Sequence, residues 1–313
     1  MSNNLFIIGN GFDRGHSIQS SYWQFKQWLM KEYQIENDED YIFLAEGTFM
    51  PDGEMAYSDK DYAKFLVNCI SSCTNGNWSE FEKNLGKIDW DLYFDHIEVC
   101  LDEDGDIDLW KMSHINEVHT SLIMDNSKAV NKLFSCWIHS LQMPQINTAT
   151  TFLSNMPKDS LFLTFNYTNT LQVVYGIKDD CIYHIHGNKN SDIIIGHGND
   201  KSYLNDDCEC DIGKEEISTI HNSFIKPVYN ILNSEKSKDF FAKIKAHNIT
   251  DIYSWGFSYG KVDLPYIKHI CNILNTSEIT WHFNDFDNEW KTSGFDKTIR
   301  KCGFKGKISS FTA

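Results

Sequence analysis

Leu5-Phe6-Ile7-Ile8-Gly9-Asn10-Gly11-Phe12-Asp13 follows directly on Met1-Ser2-Asn3-Asn4. A four-residue apolar run that stops at Gly-Asn-Gly is the pattern of a buried strand entering a tight turn. It is far too short for a membrane span, and no basic segment precedes it as a signal peptide would require. Helical spacing follows from about Ile18 to Tyr33, where Tyr22, Phe25, Trp28, Leu29 and Tyr33 recur every three or four residues. These aromatics read as core rather than as a stacking platform.

The alternation of strand and helix resumes at Ser160. Leu161–Phe165, Cys181–Ile185, Asp192–Ile195, Asp251–Trp255 and Glu278–Phe283 are expected strands. Helices are expected at Asn169–Tyr175 and near residues 213–232, 236–247, 262–275 and 287–301. Apolar strands separated by helices predict an α/β, Rossmann-like, mainly parallel sheet covered on both faces. Between residues 35 and 149 the character changes. Acidic loops (Glu36–Asp40 and Asp102–Asp106) alternate with helical segments at Tyr62–Ile70, Trp78–Ile88 and about Ile115–Leu141. The expected organisation is a core made of 1–34 and 150–313, with a helical insertion at 35–149.

Composition narrows the function classes. Of 313 residues, 41% are hydrophobic and 18 are glycine, which suffices for a substantial core. With 28 basic against 44 acidic residues, the net charge is −16; this argues against broad electrostatic binding of nucleic acid. The nine scattered cysteines do not read as a disulfide framework, and a reduced, cytoplasmic setting is expected. No stretch approaches 18 apolar residues, so no membrane association is expected. Asp102–Asp108 hints at a calcium loop, but its glycine falls at the fourth place rather than the sixth, so it reads as a solvated turn. Cys69 and Cys271 sit in apolar helical stretches as small buried hydrophobes.

Ligands of open α/β sheets bind beyond the carboxyl ends of the strands. There, Gly9 and Gly11 let the backbone turn sharply and approach a phosphate, although the third glycine of the dinucleotide fingerprint is replaced by Arg14. In Thr164-Phe165-Asn166-Tyr167-Thr168, Asn166 can orient a water, a carboxamide or a ribose hydroxyl; the plainer reading has Asn166 or Thr168 capping the next helix. In His184-Ile185-His186-Gly187, strand periodicity puts both imidazoles on one face. His186 is the candidate general base, and His184 is expected to be satisfied by a hydrogen bond. Gly256 with Ser258, and Asn284 with Asp285, end two further strands.

In this order the pieces resemble the sirtuin-type nucleotide fold. Its Gly-Ala-Gly-like loop, Thr-Gln-Asn-Ile-Asp, His-Gly, Gly-Thr-Ser with a later proline and final Asn fall on Gly9–Gly11, Thr164–Thr168, His186-Gly187, Gly256-Phe257-Ser258 with Pro265, and Asn284. More closely, the whole chain resembles the bacteriophage abortive infection AbiH-type family. Ile7–Asp13, Trp78 with Glu82, Phe165-Asn166-Tyr167-Thr168 and His186-Gly187 carry that likeness. The resemblance implies cleavage of the N-glycosidic bond of NAD in an antiphage protein, with NAD or a related adenine nucleotide as partner and no metal. Asn166 would handle the nicotinamide-ribose side and His186 would deprotonate a ribose hydroxyl. Gly9, Asn10 and Gly11 would cradle the pyrophosphate, while Gly256 and Ser258 would hold the adenosine side. Phe12, Thr168 and Asn284 join the residues around the cofactor. Carboxylates near the ribose would stabilise the developing cation, Asp13 first and Glu82 second.

Two departures bear on this. Thr168 stands where the sirtuin pattern has Asp, which removes a charge. Cys208-Glu209-Cys210 lacks the spacing of a zinc ribbon, which argues against deacylation of a peptide. A catalytically degenerate nucleotide sensor or protein-binding module is one alternative. A metal-dependent phosphoesterase or nuclease built from Asp13, His16, His184, His186, His197 and Asp200 is another. A phage-borne trigger, a second defence protein and a homo-oligomer all stay open.

Overall fold

A computed structural model of the chain describes residues 3–36, 48–51, 55–74, 81–90, 94, 97–143, 150–199, 214–285 and 289–313. Trp78, Asp200, Cys208 and Cys210 lie outside them. Strand β1 (Asn4–Ile8) leads through the glycine turn into α1 (Asn10–Gly15) and then α2 (Tyr22–Glu32). The two-residue strands β2 (Thr48–Phe49) and β3 (Met55–Ala56) precede α3 (Asp59–Thr74), α4 (Phe81–Leu85) and the long α5 (Leu109–Ser140). Next come α6 (Thr151–Ser154), β4 (Leu161–Thr164), α7 (Thr170–Tyr175) and β5 (Ile182–His184). Helices α8 (Lys214–Ser223), α9 (Val228–Asn233) and α10 (Glu235–Ala246) lead to β6 (Asp251–Trp255) and α11 (Leu264–Ile273). The chain closes with β7 (Thr280–Asn284), α12 (Glu289–Thr292), α13 (Phe295–Lys301) and β8 (Lys307–Phe311). Among the described residues no helix is long and apolar enough to cross a membrane.

Six strands form one sheet in the order β5-β4-β1-β6-β7-β8, and every neighbouring pair is parallel. Renumbered by appearance within this sheet, the order is 3-2-1-4-5-6, that of doubly wound dinucleotide folds. The order reverses between β1 and β6. The all-apolar run of β1 is explained by burial on both sides. Leu5 and Ile7 pack with Leu161, Leu163 and Ile252 against Ile244, Tyr266 and Ile270. On the other face, Phe6 and Ile8 pack with Phe162 against Phe12, Leu171 and Val174. On this second face Phe162, Phe6, Tyr253 and His282 stack across four adjacent strands, with ring centroids 4.8, 4.9 and 4.5 Å apart. Each such pair is worth about 0.5–1.5 kcal/mol beyond area burial, so the stack helps fix the register.

Two sheet expectations are corrected. Asp192–Ile195 is not a strand. Ile193 and Ile195 are buried, and the Ile194 N–H bonds the His186 carbonyl at 2.9 Å, so the apolar run serves packing without joining the sheet. Conversely, Lys307–Phe311 is the edge strand β8. Its Lys-Ile-Ser-Ser-Phe sequence carries the charged and polar residues typical of a half-solvated edge.

The chain divides into two compact units, one of Met1–Ser21, Ile138–Ile194 and Pro227–Ala313, the other of Tyr22–Trp137 and Ile195–Lys226. The first holds the six-stranded sheet. The second therefore includes α2 and residues 195–226, which the sequence boundaries assigned to the core. Side-chain partners explain the grouping: Phe25 of α2 is fully buried against Phe81, Phe134 and Trp137, and Phe224 stacks on Trp90. The 102–108 segment is a turn in which Asp102 Oδ1 accepts the N–H groups of Asp104 and Asp106 at 3.0 Å. Cys69 and Cys271 are buried.

Candidate functional site

At the switch point the glycine turn and the loop after β6 touch. The Gly9 N–H donates to the Trp255 carbonyl at 3.0 Å, and the Gly11 N–H donates to the Gly256 carbonyl at 2.9 Å. A Cβ on Gly9 would lie 2.5 Å from the Gly256 oxygen, and one on Gly11 would lie 2.6 Å from the Gly256 Cα. Gly256 itself has φ +66°. Glycine is needed here because two backbones pack where side chains would stand. Gly9 and Gly11, expected to offer their N–H groups to a pyrophosphate, have both donors engaged by carbonyls. Asn10 is likewise committed: its amide donates to the Ser20 carbonyl (3.1 Å) and its oxygen accepts the Ser20 hydroxyl (2.6 Å). Phe12, expected beside the cofactor, is wholly buried, with its ring edge-on to Trp255 at 4.9 Å.

Asp13 follows on α1, and its carboxylate is buried. Thr168 Oγ1 donates to Oδ2 at 2.6 Å and Thr170 Oγ1 to Oδ1 at 2.7 Å. Burial raises the Asp13 carboxyl from 3.8 to about 6, against the opposing hydrogen bonds of Thr168, Thr170 and Asn166. The native chain therefore binds more protons than the unfolded chain between those two values, and stability falls as pH rises through that window, by about 3 kcal/mol in all. Asp13→Asn removes the charge while its amide can still accept from one threonine and donate to the other. The variant is expected to be more stable than the parent at pH 7.5, with the difference vanishing near pH 4. Thermal unfolding of both proteins at the two pH values checks this, and a pH-independent difference contradicts it.

Asn166 and Thr168 do not cap the following helix. The cap of α7 is Asn169, which makes no side-chain cap bond. Asn166 Nδ2 donates instead to the Gly9 carbonyl at 3.0 Å, tying the end of β4 to the glycine turn. Thr168, expected against the cofactor, gives its hydroxyl to Asp13. The sequence reading missed Thr170; the only signal was a second hydroxyl two residues after Thr168, on the first turn of a helix.

The two histidines after β4 part company. His184 is the last residue of β5. Its Nδ1–H donates to the Asn166 carbonyl at 2.9 Å, and its Nε2 lies 3.2 Å from Gln172 Nε2. Burial lowers its pKa. Beyond it the chain turns, so His186 faces the other side of the sheet. There it lies against Phe165 and Tyr266, with ring centroids 5.4 and 5.5 Å away. The period-two expectation fails because β5 ends before His186. His186 is 3% exposed, and its Nε2 is 3.7 Å from Asp263 Oδ1, on a side chain 14% exposed. That is ion-pair range and beyond a good hydrogen bond. Phe165, next to Asn166, also packs on Phe257 at 4.4 Å, so His186 reaches the switch point through two aromatic rings.

The remaining candidates are more dispersed. Ser258 is exposed on the loop after β6, and Asn284 ends β7, one strand further out. The Asp285 N–H bonds the Phe311 carbonyl at 2.9 Å. His16 is held by the Phe12 carbonyl (2.7 Å) and the Tyr175 hydroxyl (2.6 Å), and burial lowers its pKa. In the second unit, Glu82 pairs with the buried Lys226 at 2.7 Å. There too the His197 ring lies 4.5 Å from that of His221, tilted by 43°, and burial pushes the His197 pKa down to about 4. Among the described residues no three His, Cys, Asp or Glu side chains are grouped to hold a metal.

The profile described as "Bacteriophage abortive infection AbiH" matches residues 5–285, a span that holds Asp13, Asn166, Thr168, Thr170 and His186. No curated protein and no solved structure matches the chain. Because the match runs through most of both units, this chain belongs to the bacteriophage abortive infection AbiH family, and its role lies in abortive infection.

Proposed function

We propose that the abortive-infection activity of this protein is hydrolysis of NAD to ADP-ribose and nicotinamide. The observation that carries the reading is the meeting of Asp13, Asn166 and the glycine turn at the reversal point of a 3-2-1-4-5-6 sheet, where such folds bind dinucleotides. In the reaction the bond between ribose C1′ and the nicotinamide nitrogen breaks, and its electron pair leaves with the now neutral ring. Positive charge spreads over the ribose, and a buried carboxylate is suited to stabilise it. Water adds to C1′, and its proton passes to a general base, the role assigned to His186. The fixed anion in this scheme is Asp13, which is ionised above about pH 6.

The test is incubation of the purified full chain with NAD, following nicotinamide and ADP-ribose by chromatography. Equimolar release of both is expected. Intact NAD after incubation, with phage lysate added as well as without it, rules the proposal out.

One observation favours a second reading. Gly9 and Gly11 spend their N–H groups on backbone carbonyls and His186 is buried, so neither the glycine donors nor the imidazole is freely offered to a ligand. That arrangement suits a protein that senses an adenine nucleotide without turning it over. Saturable ADP-ribose binding with NAD left intact supports that reading over the first.

A further inference from the structure

The Asp13 carboxylate is held by two hydroxyls from another part of the chain, 155 and 157 residues away. One hydroxyl serves each carboxylate oxygen, and the two hydroxyl oxygens are 3.0 Å apart. A hydroxyl has one proton to donate. With Asp13 ionised, both threonine protons point at the carboxylate and none lies between the threonines. With Asp13 protonated, three contacts close into a cycle: Asp13 donates to one threonine, that one to the other, and the second back to the free carboxyl oxygen. The same three side chains thus accommodate both charge states without moving.

We propose that Thr168 and Thr170 are positioning residues that clamp the Asp13 carboxylate, so that the negative charge of the site is carried by α1 and aimed from the entry of α7. The role assigned to the clamp rests on the reading of Asp13 as the charge that faces the substrate. The titratable groups around the clamp are His16, just past the end of the same helix, held between the Phe12 carbonyl and the Tyr175 hydroxyl with its pKa lowered by burial, and His184, which bonds the Asn166 carbonyl. Arg14, next in sequence, is exposed. No charged side chain is among the causes that shift Asp13.

The experiment is a carboxyl-carbon NMR titration of Asp13 in the full chain, labelled at aspartate, beside the pH profile of nicotinamide release. The parent is expected to titrate near 6. Thr170→Val and Thr168→Val each remove one donor to the anion and should raise the midpoint by about one pH unit. The acid limb of the activity profile should move up equally, while Thr170→Ser and Thr168→Ser restore both. Parent midpoints in the valine variants overturn the clamp; if one variant does not fold, the other reads the second oxygen. A raised midpoint in a protein that leaves NAD intact keeps the clamp and removes the hydrolase reading instead.

Discussion

Gly256→Ala is expected to cost more than about 4 kcal/mol and to leave little folded protein. At φ +66° an alanine already costs about 1–2 kcal/mol. The larger part is steric: a Cβ there would lie 2.2 Å from the Phe12 nitrogen and 2.5 Å from the Gly11 carbonyl carbon. Those are backbone atoms, so no side-chain rotation relieves the overlap. Either β6 moves away from β1 or α1 shifts, and each movement breaks the hydrogen bonds from Gly9 and Gly11 that join the two loops. Gly260→Ala is the matched control. Its nearest neighbour is Asp263 Oδ2 at 4.0 Å, and a change within about 0.5 kcal/mol is expected. Urea midpoints for both variants decide the matter, and a Gly256→Ala protein within about 1 kcal/mol of the parent sinks the account.

His186→Ala is expected to lower nicotinamide release by about 10²–10⁴-fold, the usual contribution of a general base. The side chain is enclosed by Phe165 and Tyr266 with the Asp263 carboxyl oxygen 3.7 Å away. Substrate affinity should hold while turnover falls, because the imidazole acts on a proton rather than on binding. Calorimetric NAD binding beside steady-state kinetics separates the two. Equal turnover in His186→Ala and the parent removes this residue from the chemistry and leaves its contact with Asp263 as packing.

The strand calculus of the core was readable because burial on both faces demands an unbroken apolar run. Leu5–Ile8 and Leu161–Thr164 announce themselves that way, and Asp251–Trp255 does so through its glycine-ended apolar stretch. The same logic misled at Ile193–Ile195, whose hydrophobicity is used in the core without strand pairing. It also passed over Lys307–Phe311, where an edge strand needs only a half-buried face and a polar pattern suffices. Residues 195–226 could not be assigned from local pattern, because their membership is set by contacts such as Phe224 on Trp90.

The candidate site divides along the same line. Asp13, Asn166, Thr168 and His186 were visible because glycines and small polar residues at strand ends are a local signature. Their partners were not. Thr170 gains its role only when α7 is brought against α1, and His184 and His186 separate only because β5 stops at His184. Gly9 and Gly11 looked like a phosphate cradle, yet their nearest neighbour is another glycine loop some 245 residues on.

What the chain alone settled is therefore the class of fold, its parallel strands, and which strand ends carry polar chemistry, since each follows from short-range periodicity and burial. Folding in three dimensions settled which of those polar groups share a hydrogen bond, which backbone donors are already spoken for, and which face each histidine occupies. Those outcomes depend on contacts between separate segments, from 18 residues apart for His184 and Asn166 to 157 for Asp13 and Thr170, and no local pattern of residues encodes such pairings.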